Sequence, residues 1–215
     1  IYDMKLNKHQ YAFVIIVLLL MSFLFSACAP VEEAGSSLAV EEGTTNMEVK
    51  PIKIIAHRGA RSLAPENTVA AAVKALEANS FGWELDVAMS SDGVLVLLHD
   101  DTLERTSNVL QVFPDREPWS VYDFTLDELK QLDLGSWFVD TDPFEQIKQG
   151  IISETDAASY IGLQIDTLEE ALRYTKENNW WGNIEIKDAS GTHAHEVIVS
   201  KVVSLVEELG MEQQV

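Results

Sequence analysis

The stretch Ile54–Asp100 constrains the fold more than any other part of the chain, because it holds three short apolar runs with polar residues along them or directly after them. The runs are Lys53–Ala56, Phe81–Met89 and Val94–Leu98, and each has the length of a buried strand. A helical pattern that begins near Thr68 separates the first two runs. Polar residues at the carboxyl ends of strands are typical of the functional face of parallel α/β folds, and of (β/α) barrels above all. We therefore predict an α/β fold with its site at this edge.

The segment Pro65–Thr68 predicts the start of the helix between the first two strands. Either Asn67 or Thr68 can cap it, and an apolar face follows at helical spacing. Gly59 and Gly82 are expected at backbone positions where a side chain would obstruct. The predicted apolar face consists of Val69, Ala72, Val73 and Leu76.

The candidate site residues of this half are two histidines, an arginine and two carboxylates. His57 and Arg58 follow the first strand, Glu84 and Asp86 point to one side of the second, and His99 follows the third. Two carboxylates that face the same way on a buried strand are costly unless a cation balances them. The set suits Mg²⁺ or Ca²⁺, a phosphate clamp by the arginine, and proton transfer by the histidines near neutral pH. Taken singly, a histidine here is also compatible with a structural hydrogen bond, and the acidic pair with a salt bridge to an arginine.

A fourth strand is predicted at Gly182–Lys187, where Glu185 and Lys187 share one face. The alternation alone leaves open whether these two form only a Glu–Lys cross-pair. His193 and His195 follow this strand, and we interpret them as loop or helix-start residues and not as ligands.

Four motifs, in this order and at these intervals, resemble the glycerophosphodiester phosphodiesterase family. The resemblance covers Ile52 to the C-terminus and implies a TIM-type (β/α)8 barrel. It also implies metal-dependent hydrolysis of glycerophosphodiesters to sn-glycerol 3-phosphate and an alcohol. The motifs are His57-Arg58-Gly59, Pro65-Glu66-Asn67-Thr68, Glu84-Leu85-Asp86-Val87 and His99-Asp100.

The resemblance also implies a role for each candidate. Glu84, Asp86 and Glu185 are expected to hold one divalent cation, Ca²⁺ or Mg²⁺. Arg58 and Lys187 are expected to bind the substrate's phosphate. His57 and His99 are expected to act as general acid and base, and the sequence does not decide which is which. Two alternatives stay open: a related head-group phosphodiesterase of the sphingomyelinase D type, and a non-catalytic lipoprotein that binds a phosphate ligand.

A long insert, Thr102–Ile165, follows the third strand. Thr125-Leu126-Asp127-Glu128 predicts a capping box and a short helix within it. In the related family a similar insert covers the glycerol end of the substrate, so Trp137 and Phe138 either form an apolar wall there or anchor the insert. A second capping box, Thr167-Leu168-Glu169-Glu170, starts a helix through Glu177. The family usually has proline before this box, and Asp166, which replaces it, can cap the helix instead.

Four strands are predicted in all, whereas a complete barrel has eight strands and about 250 residues. We therefore expect the first half of a barrel, without strands five to eight, and poor folding of this piece on its own.

The N-terminal region is predicted to contain a secretion signal and a flexible tether. Residues 1–28 read as a secretion signal, with a basic start and an apolar run, and Phe25-Ser26-Ala27-Cys28 resembles a bacterial lipobox. A plain signal peptide or a single membrane anchor is the alternative. Residues 29–50 form a flexible tether, and 51–215 form the catalytic domain. We expect an extracytoplasmic protein anchored to the membrane through lipidated Cys28, or a secreted or periplasmic one.

The net charge of −20 and the pI near 4.4 disfavour a nucleic-acid partner, which would need a basic face. A small-molecule substrate is the expected partner. A single cysteine excludes a disulfide within the chain and any cysteine-based zinc site.

Overall fold

A computed structural model describes residues 51–215 of the chain. The predicted signal, the tether and Cys28 lie outside these residues. Within 51–215, no helix combines the length and the apolar character that a membrane span requires.

The sheet is organised around its second strand, whose eight residues are all buried. This strand pairs in parallel with the first strand on one edge and with the fourth on the other, and its C-terminal end pairs antiparallel with the third. Val87 of the second strand pairs with Leu97 of the third strand on one side and with Ile186 of the fourth strand on the other. The third strand therefore lies on the same edge of the second strand as the first strand does. The strands are β1 (Ile55–Ala56), β2 (Gly82–Met89), β3 (Leu95–Leu97) and β4 (Trp181–Ile186).

The strand predicted at Val94–Leu98 is present, but it runs antiparallel to β2 and is therefore not a third parallel strand of the barrel. β3 folds back on β2 as a hairpin, since the link from Ser90 to Val94 is far shorter than the dozen or so residues that a parallel crossover needs. Ser90 and Asp92 close the turn, with the Ser90 hydroxyl donating to Asp92 Oδ1 at 2.6 Å. β4 is therefore the next parallel neighbour of β2. The α/β class and the partial-barrel architecture are confirmed.

Both predicted capping boxes are present. Thr125 caps with Glu128, and Thr167 caps with Glu170. Thr68 caps the helix between β1 and β2 by accepting from the backbone N–H of Ala71. The helices are α1 (Val69–Glu77), α2 (Val109–Val112), α3 (Leu126–Leu129), α4 (Ser136–Thr141), α5 (Glu154–Tyr160), α6 (Leu168–Glu177) and α7 (Ile198–Leu209), with a 3-10 turn at Val121–Asp123.

Two details of the helix predictions differ from the structure. Asp166 does not cap α6: its Oδ2 accepts from the N–H of Val69, the first residue of α1, at 2.7 Å. The buried face of α1 is also rotated from the predicted one, because small residues allow the helix to lie close to its neighbours. Its buried residues are Ala71, Ala72 and Ala75, whereas Val69, Val73 and Leu76 are half-buried.

The main core lies between β2 and the helices that cover the sheet. Trp83 and Leu85 are fully buried and belong to one cluster with Leu168 and Leu172 of α6. The Trp83 indole N–H donates to the hydroxyl of Thr175 at 2.9 Å, so its polar group is satisfied inside the core. The insert has its own smaller hydrophobic cluster around Phe138, and this cluster packs the insert against Ala71 of α1.

The two glycines predicted at crowded positions occupy such positions. A Cβ on Gly59 would lie 2.7 Å from the Cβ of Ala71, and the residue has a φ of 74°. A Cβ on Gly82 would lie 2.5 Å from the carbonyl oxygen of Trp181. Because neither glycine has a side chain, α1 can lie close to the loop after β1, and β4 can lie close to β2.

Candidate active site

Three carboxylates meet where β2 and β4 run side by side. Glu84 and Asp86 alternate with apolar residues along β2, and Asp86 is the register partner of Glu185 on β4. One carboxylate oxygen from each of the three lies within 4.8 Å of the others. Asp86 is 1% exposed and Glu84 is 7% exposed, whereas Glu185 lies at the exposed rim.

Each of the two buried carboxylates has one oxygen held by the protein and one oxygen left over. Glu84 Oε2 accepts from the backbone N–H of Arg58 at 2.7 Å, and Asp86 Oδ2 accepts from Asn67 Nδ2 at 2.8 Å. Glu84 Oε1 and Asp86 Oδ1 are buried and accept no hydrogen bond from residues 51–215, and the ammonium of Lys187 lies 3.4 Å from Asp86 Oδ1. Buried carboxylate oxygens that accept no hydrogen bond are costly, so this pattern favours a cation ligand.

The triad fits one divalent cation. Oxygen-preferring cations are bound by carboxylates at about 2.0–2.6 Å, so one ion can reach three oxygens that are this close together. Burial raises the pKa of Glu84, and the charges of Asp86 and Glu185 raise it further. A bound cation would oppose all of these effects, because it stabilises the ionised carboxylates.

Two basic side chains flank Asp86. Arg58 Nε lies 3.4 Å from Asp86 Oδ2, and Lys187 Nζ lies 3.4 Å from Asp86 Oδ1. Lys187 also donates to Glu185 Oε1 at 2.7 Å, which lowers the pKa of Glu185. The Glu–Lys cross-pair therefore exists, but the same glutamate also belongs to the carboxylate triad.

The two candidate histidines are held differently. His57 Nε2 lies 3.8 Å from Glu84 Oε2, and the side chain is 54% exposed. Partial burial lowers the pKa of His57, and the nearby Arg58 and Arg61 lower it further. His99 has its Nδ1 2.7 Å from Asp100 Oδ1, a contact through which Asp100 can orient the ring. This contact leaves Nε2 as the ring nitrogen available for proton transfer.

Three further side chains belong to this site, and the sequence reasoning assigned none of them to it. Glu66 accepts from Arg58 and from Arg105, Asn67 holds Asp86, and Arg105 holds Asp100. The motif that contains Glu66 and Asn67 predicts a helix start and contributes to the family resemblance, but it assigns neither side chain a role at the site. Arg105 lies 39 positions from Glu66 and carries no local pattern that would predict the contact.

The two aromatic residues of the insert have separate positions. Phe138 is 1% exposed and packs edge-on against Tyr160, so it anchors the insert. Trp137 is half-buried, and the guanidinium carbon of Arg105 lies 5.8 Å from the centre of its ring. His193 and His195 lie in the turns before α7, as predicted, and His193 Nε2 contacts the carbonyl of Ser90 at 3.2 Å.

Fold and site together define an α/β protein, part of a TIM-type barrel, with a carboxylate site beside the carboxyl ends of its parallel strands. A family model described as "Glycerophosphoryl diester phosphodiesterase family" matches residues 57–215. The chain belongs to this family.

Individual relatives agree with this assignment. The chain is 36% identical over 162 residues to a glycerophosphodiester phosphodiesterase of Caldanaerobacter subterraneus, covering 75% of this chain and 55% of the relative. It is 42% identical over 120 residues to a glycerophosphoinositol inositolphosphodiesterase of Mus musculus, covering 56% of this chain and 22% of the relative.

A solved structure is similar as well. The Oleispira antarctica phosphodiesterase, in complex with the product sn-glycerol-3-phosphate, is 31% identical with a TM-score of 0.56. The match covers 73% of this chain and 52% of that one. The chain thus spans about half the length of its bacterial relatives and about a fifth of the mouse relative.

Proposed function

We propose that the intact protein hydrolyses glycerophosphodiesters to sn-glycerol 3-phosphate and an alcohol, using one divalent cation. The observation that carries the proposal is the carboxylate triad. Two of its members are buried, each has one oxygen that accepts no hydrogen bond from residues 51–215, and Arg58 and Lys187 lie beside Asp86. Family membership supports the reaction class.

Glu84, Asp86 and Glu185 would hold the cation, Ca²⁺ or Mg²⁺. When bound, it supplies Lewis-acid activation of the phosphate. Arg58 and Lys187 neutralise the negative charge that the phosphate carries and gains as the transition state forms. Their positions on either side of Asp86 place two positive charges next to the triad.

His57 and His99 carry the proton transfers. One removes a proton from the nucleophile, and the other donates a proton to the oxygen of the departing alcohol. The nucleophile is either water or the neighbouring glycerol hydroxyl, the latter through a cyclic phosphate.

The name of one relative supports a second candidate. The mouse relative is an inositolphosphodiesterase, so cleavage of the other ester bond of a glycerophosphoinositol is a specific alternative. The Oleispira antarctica complex with sn-glycerol-3-phosphate supports the first candidate.

The cellular location of the protein is a separate proposal. We infer an extracytoplasmic lipoprotein anchored to the membrane through Cys28, on the strength of the lipobox-like segment. Radiolabelled palmitate should label the intact protein in cells, and Cys28→Ser should abolish the label. Labelling that survives this substitution would contradict the anchor.

The products decide between the functions. The intact protein is incubated with glycerophosphocholine, glycerophosphoinositol or sphingomyelin, and ³¹P NMR identifies the phosphate monoester formed. We expect sn-glycerol 3-phosphate from the first two substrates. Inositol phosphate would support the second candidate, and cleavage of sphingomyelin alone would support a sphingomyelinase D-type enzyme. Tight binding of sn-glycerol 3-phosphate without any turnover would mean a binding lipoprotein.

A further inference from the structure

A series of ion pairs connects the two sides of the candidate site through Glu66. This glutamate has an 8% exposed side chain, and its Oε1 accepts from Arg58 Nη1 at 2.9 Å and from Arg105 Nη2 at 2.7 Å. Burial would raise the pKa of Glu66, but the two guanidinium groups outweigh that effect and lower it. One ionised carboxylate thus fixes two arginines from different segments.

Arg105 in turn donates hydrogen bonds to Asp100 from two of its guanidinium nitrogens. Nε donates to Asp100 Oδ2 at 2.6 Å, and Nη2 donates to Oδ1 at 3.0 Å. The bonds from Arg105 lower the pKa of Asp100 to about 2. A carboxylate held by this two-nitrogen fork has little freedom to rotate, because the planar guanidinium fixes both of its oxygens.

The held carboxylate contacts His99. Asp100 Oδ1 lies 2.7 Å from His99 Nδ1. An ionised carboxylate can only accept hydrogen bonds, so it selects the form of His99 that carries its proton on Nδ1. The neutral ring then presents an unprotonated Nε2.

We propose that Arg105 is a positioning residue of the hydrolase: it orients Asp100, which fixes the tautomer and orientation of His99, and Glu66 couples this assembly to Arg58. The inference rests on the proposed function for its catalytic consequence. Two of the three guanidinium nitrogens of Arg105 are already bound to carboxylates. Arg105 binds Asp100 and Glu66, whereas Arg58 and Lys187 each lie 3.4 Å from Asp86 of the triad.

The test compares Arg105→Gln with Arg173→Gln in the intact protein. Arg173 is a matched control, since its Nε and Nη2 both bind Glu169 on the surface of α6, at 2.9 and 2.7 Å. For Arg105→Gln we expect kcat to fall about 10- to 100-fold with KM nearly unchanged, the pattern for a lost contribution to proton transfer. Arg173→Gln should leave both constants unchanged.

A second measurement does not need turnover. Nitrogen-15 NMR of the histidine rings, with His99 assigned from a His99→Gln variant, should show Nδ1 protonated and Nε2 unprotonated in the wild type. Arg105→Gln should weaken this preference. Asp100→Asn should shift the proton to Nε2, because the amide oxygen then meets Arg105 and the amide NH₂ faces Nδ1.

The outcomes separate the two claims. A large rise in KM with kcat retained would show that Arg105 binds substrate, and an unchanged His99 tautomer in both variants would overturn the positioning role. If the wild type hydrolyses none of the substrates, the proposed function fails, but the NMR result still decides whether Arg105 sets the state of His99. If Arg105→Gln does not fold, Asp100→Asn carries the same test.

Discussion

Asn67 and Asp86 are joined by a reciprocal pair of hydrogen bonds. Asn67 Nδ2 donates to Asp86 Oδ2 at 2.8 Å, and the Asp86 backbone N–H donates to Asn67 Oδ1 at 3.0 Å. Asn67 has a φ of 56°, a left-handed conformation that asparagine tolerates better than most residues. The loop before α1 therefore orients a carboxylate on β2, and Asp86 Oδ1 remains for a cation.

Replacing Asn67 should weaken cation binding. Asn67→Gly keeps the backbone conformation but removes both hydrogen bonds. We expect the dissociation constant for Ca²⁺ or Mg²⁺, measured by calorimetry, to rise about 10- to 100-fold, as for other partners of metal ligands.

The matched control for Asn67 is Asn79, which has the same φ of 56° but is exposed. Asn79→Gly should leave cation affinity unchanged. Equal affinities of Asn67→Gly, Asn79→Gly and the wild type would show that Asn67 does not support a metal ligand.

Lys187→Gln should affect cation binding and turnover in opposite directions. The ammonium group lies between Asp86 and Glu185, so its removal relieves repulsion toward a cation bound by the triad. We expect cation affinity to rise by about 10-fold and kcat to fall by about 100- to 1000-fold, because charge stabilisation at the phosphate is lost.

Lys130→Gln is the control for Lys187, because Lys130 pairs with Glu170 away from the triad. It should change neither quantity. A Lys187→Gln variant with full turnover would rule out a role for this lysine at the phosphate.

Thr175→Val should destabilise the core. Thr175 is fully buried and accepts from the indole of Trp83, so valine would leave that N–H without its partner. We expect the free energy of unfolding, from urea titration of the intact protein, to fall by about 1–3 kcal/mol. Thr141→Val removes a similar hydroxyl that donates to a carbonyl four residues earlier, but at an exposed position, and should cost far less. Equal effects of the two substitutions would contradict this account of the core.

Asp166 should make stability depend on pH. Burial raises the pKa of Asp166 to about 6, compared with an ordinary value of 3.8. Between these two pH values the folded protein binds more protons than the unfolded chain, so this carboxyl's contribution to stability is complete below pH 3.8 and is lost as the pH rises through 6.

Asp166→Asn removes this titration and keeps an oxygen that can accept from Val69. Relative to the wild type, the unfolding free energy of Asp166→Asn should rise by up to about 3 kcal/mol between pH 4 and pH 7. A difference between the two proteins that stays constant over this range would contradict the assigned pKa.

The sequence predicts the local elements of this fold better than their long-range arrangement. The alternation along β2 and the two threonine–glutamate capping boxes are local patterns, and the structure confirms them. The direction of β3 was also accessible, because the link of Ser90 to Val94 can only form a hairpin. Asp166 was missed as a cap of α1 because its partner Val69 is 97 positions away.

In the candidate site, too, the long-range arrangement is harder to predict from the sequence than the local patterns. The triad depends on the register of β4 against β2, in which Asp86 lies beside Glu185. No spacing within either strand specifies that register, and the family resemblance provided the grouping. The Arg105–Glu66 contact also depends on how the insert packs, because it joins segments 39 positions apart.

Removal of the cation shows whether the triad's metal site is required for hydrolysis. Release of sn-glycerol 3-phosphate from glycerophosphocholine by the intact protein is followed with EDTA, and then with Mg²⁺ or Ca²⁺ restored. We predict that EDTA abolishes release in the wild type, that one of the two cations restores it, and that Glu84→Gln requires a higher cation concentration for the same restoration. Full release in excess EDTA, or a Glu84→Gln variant with the cation dependence of the wild type, would contradict a catalytic cation held by the triad.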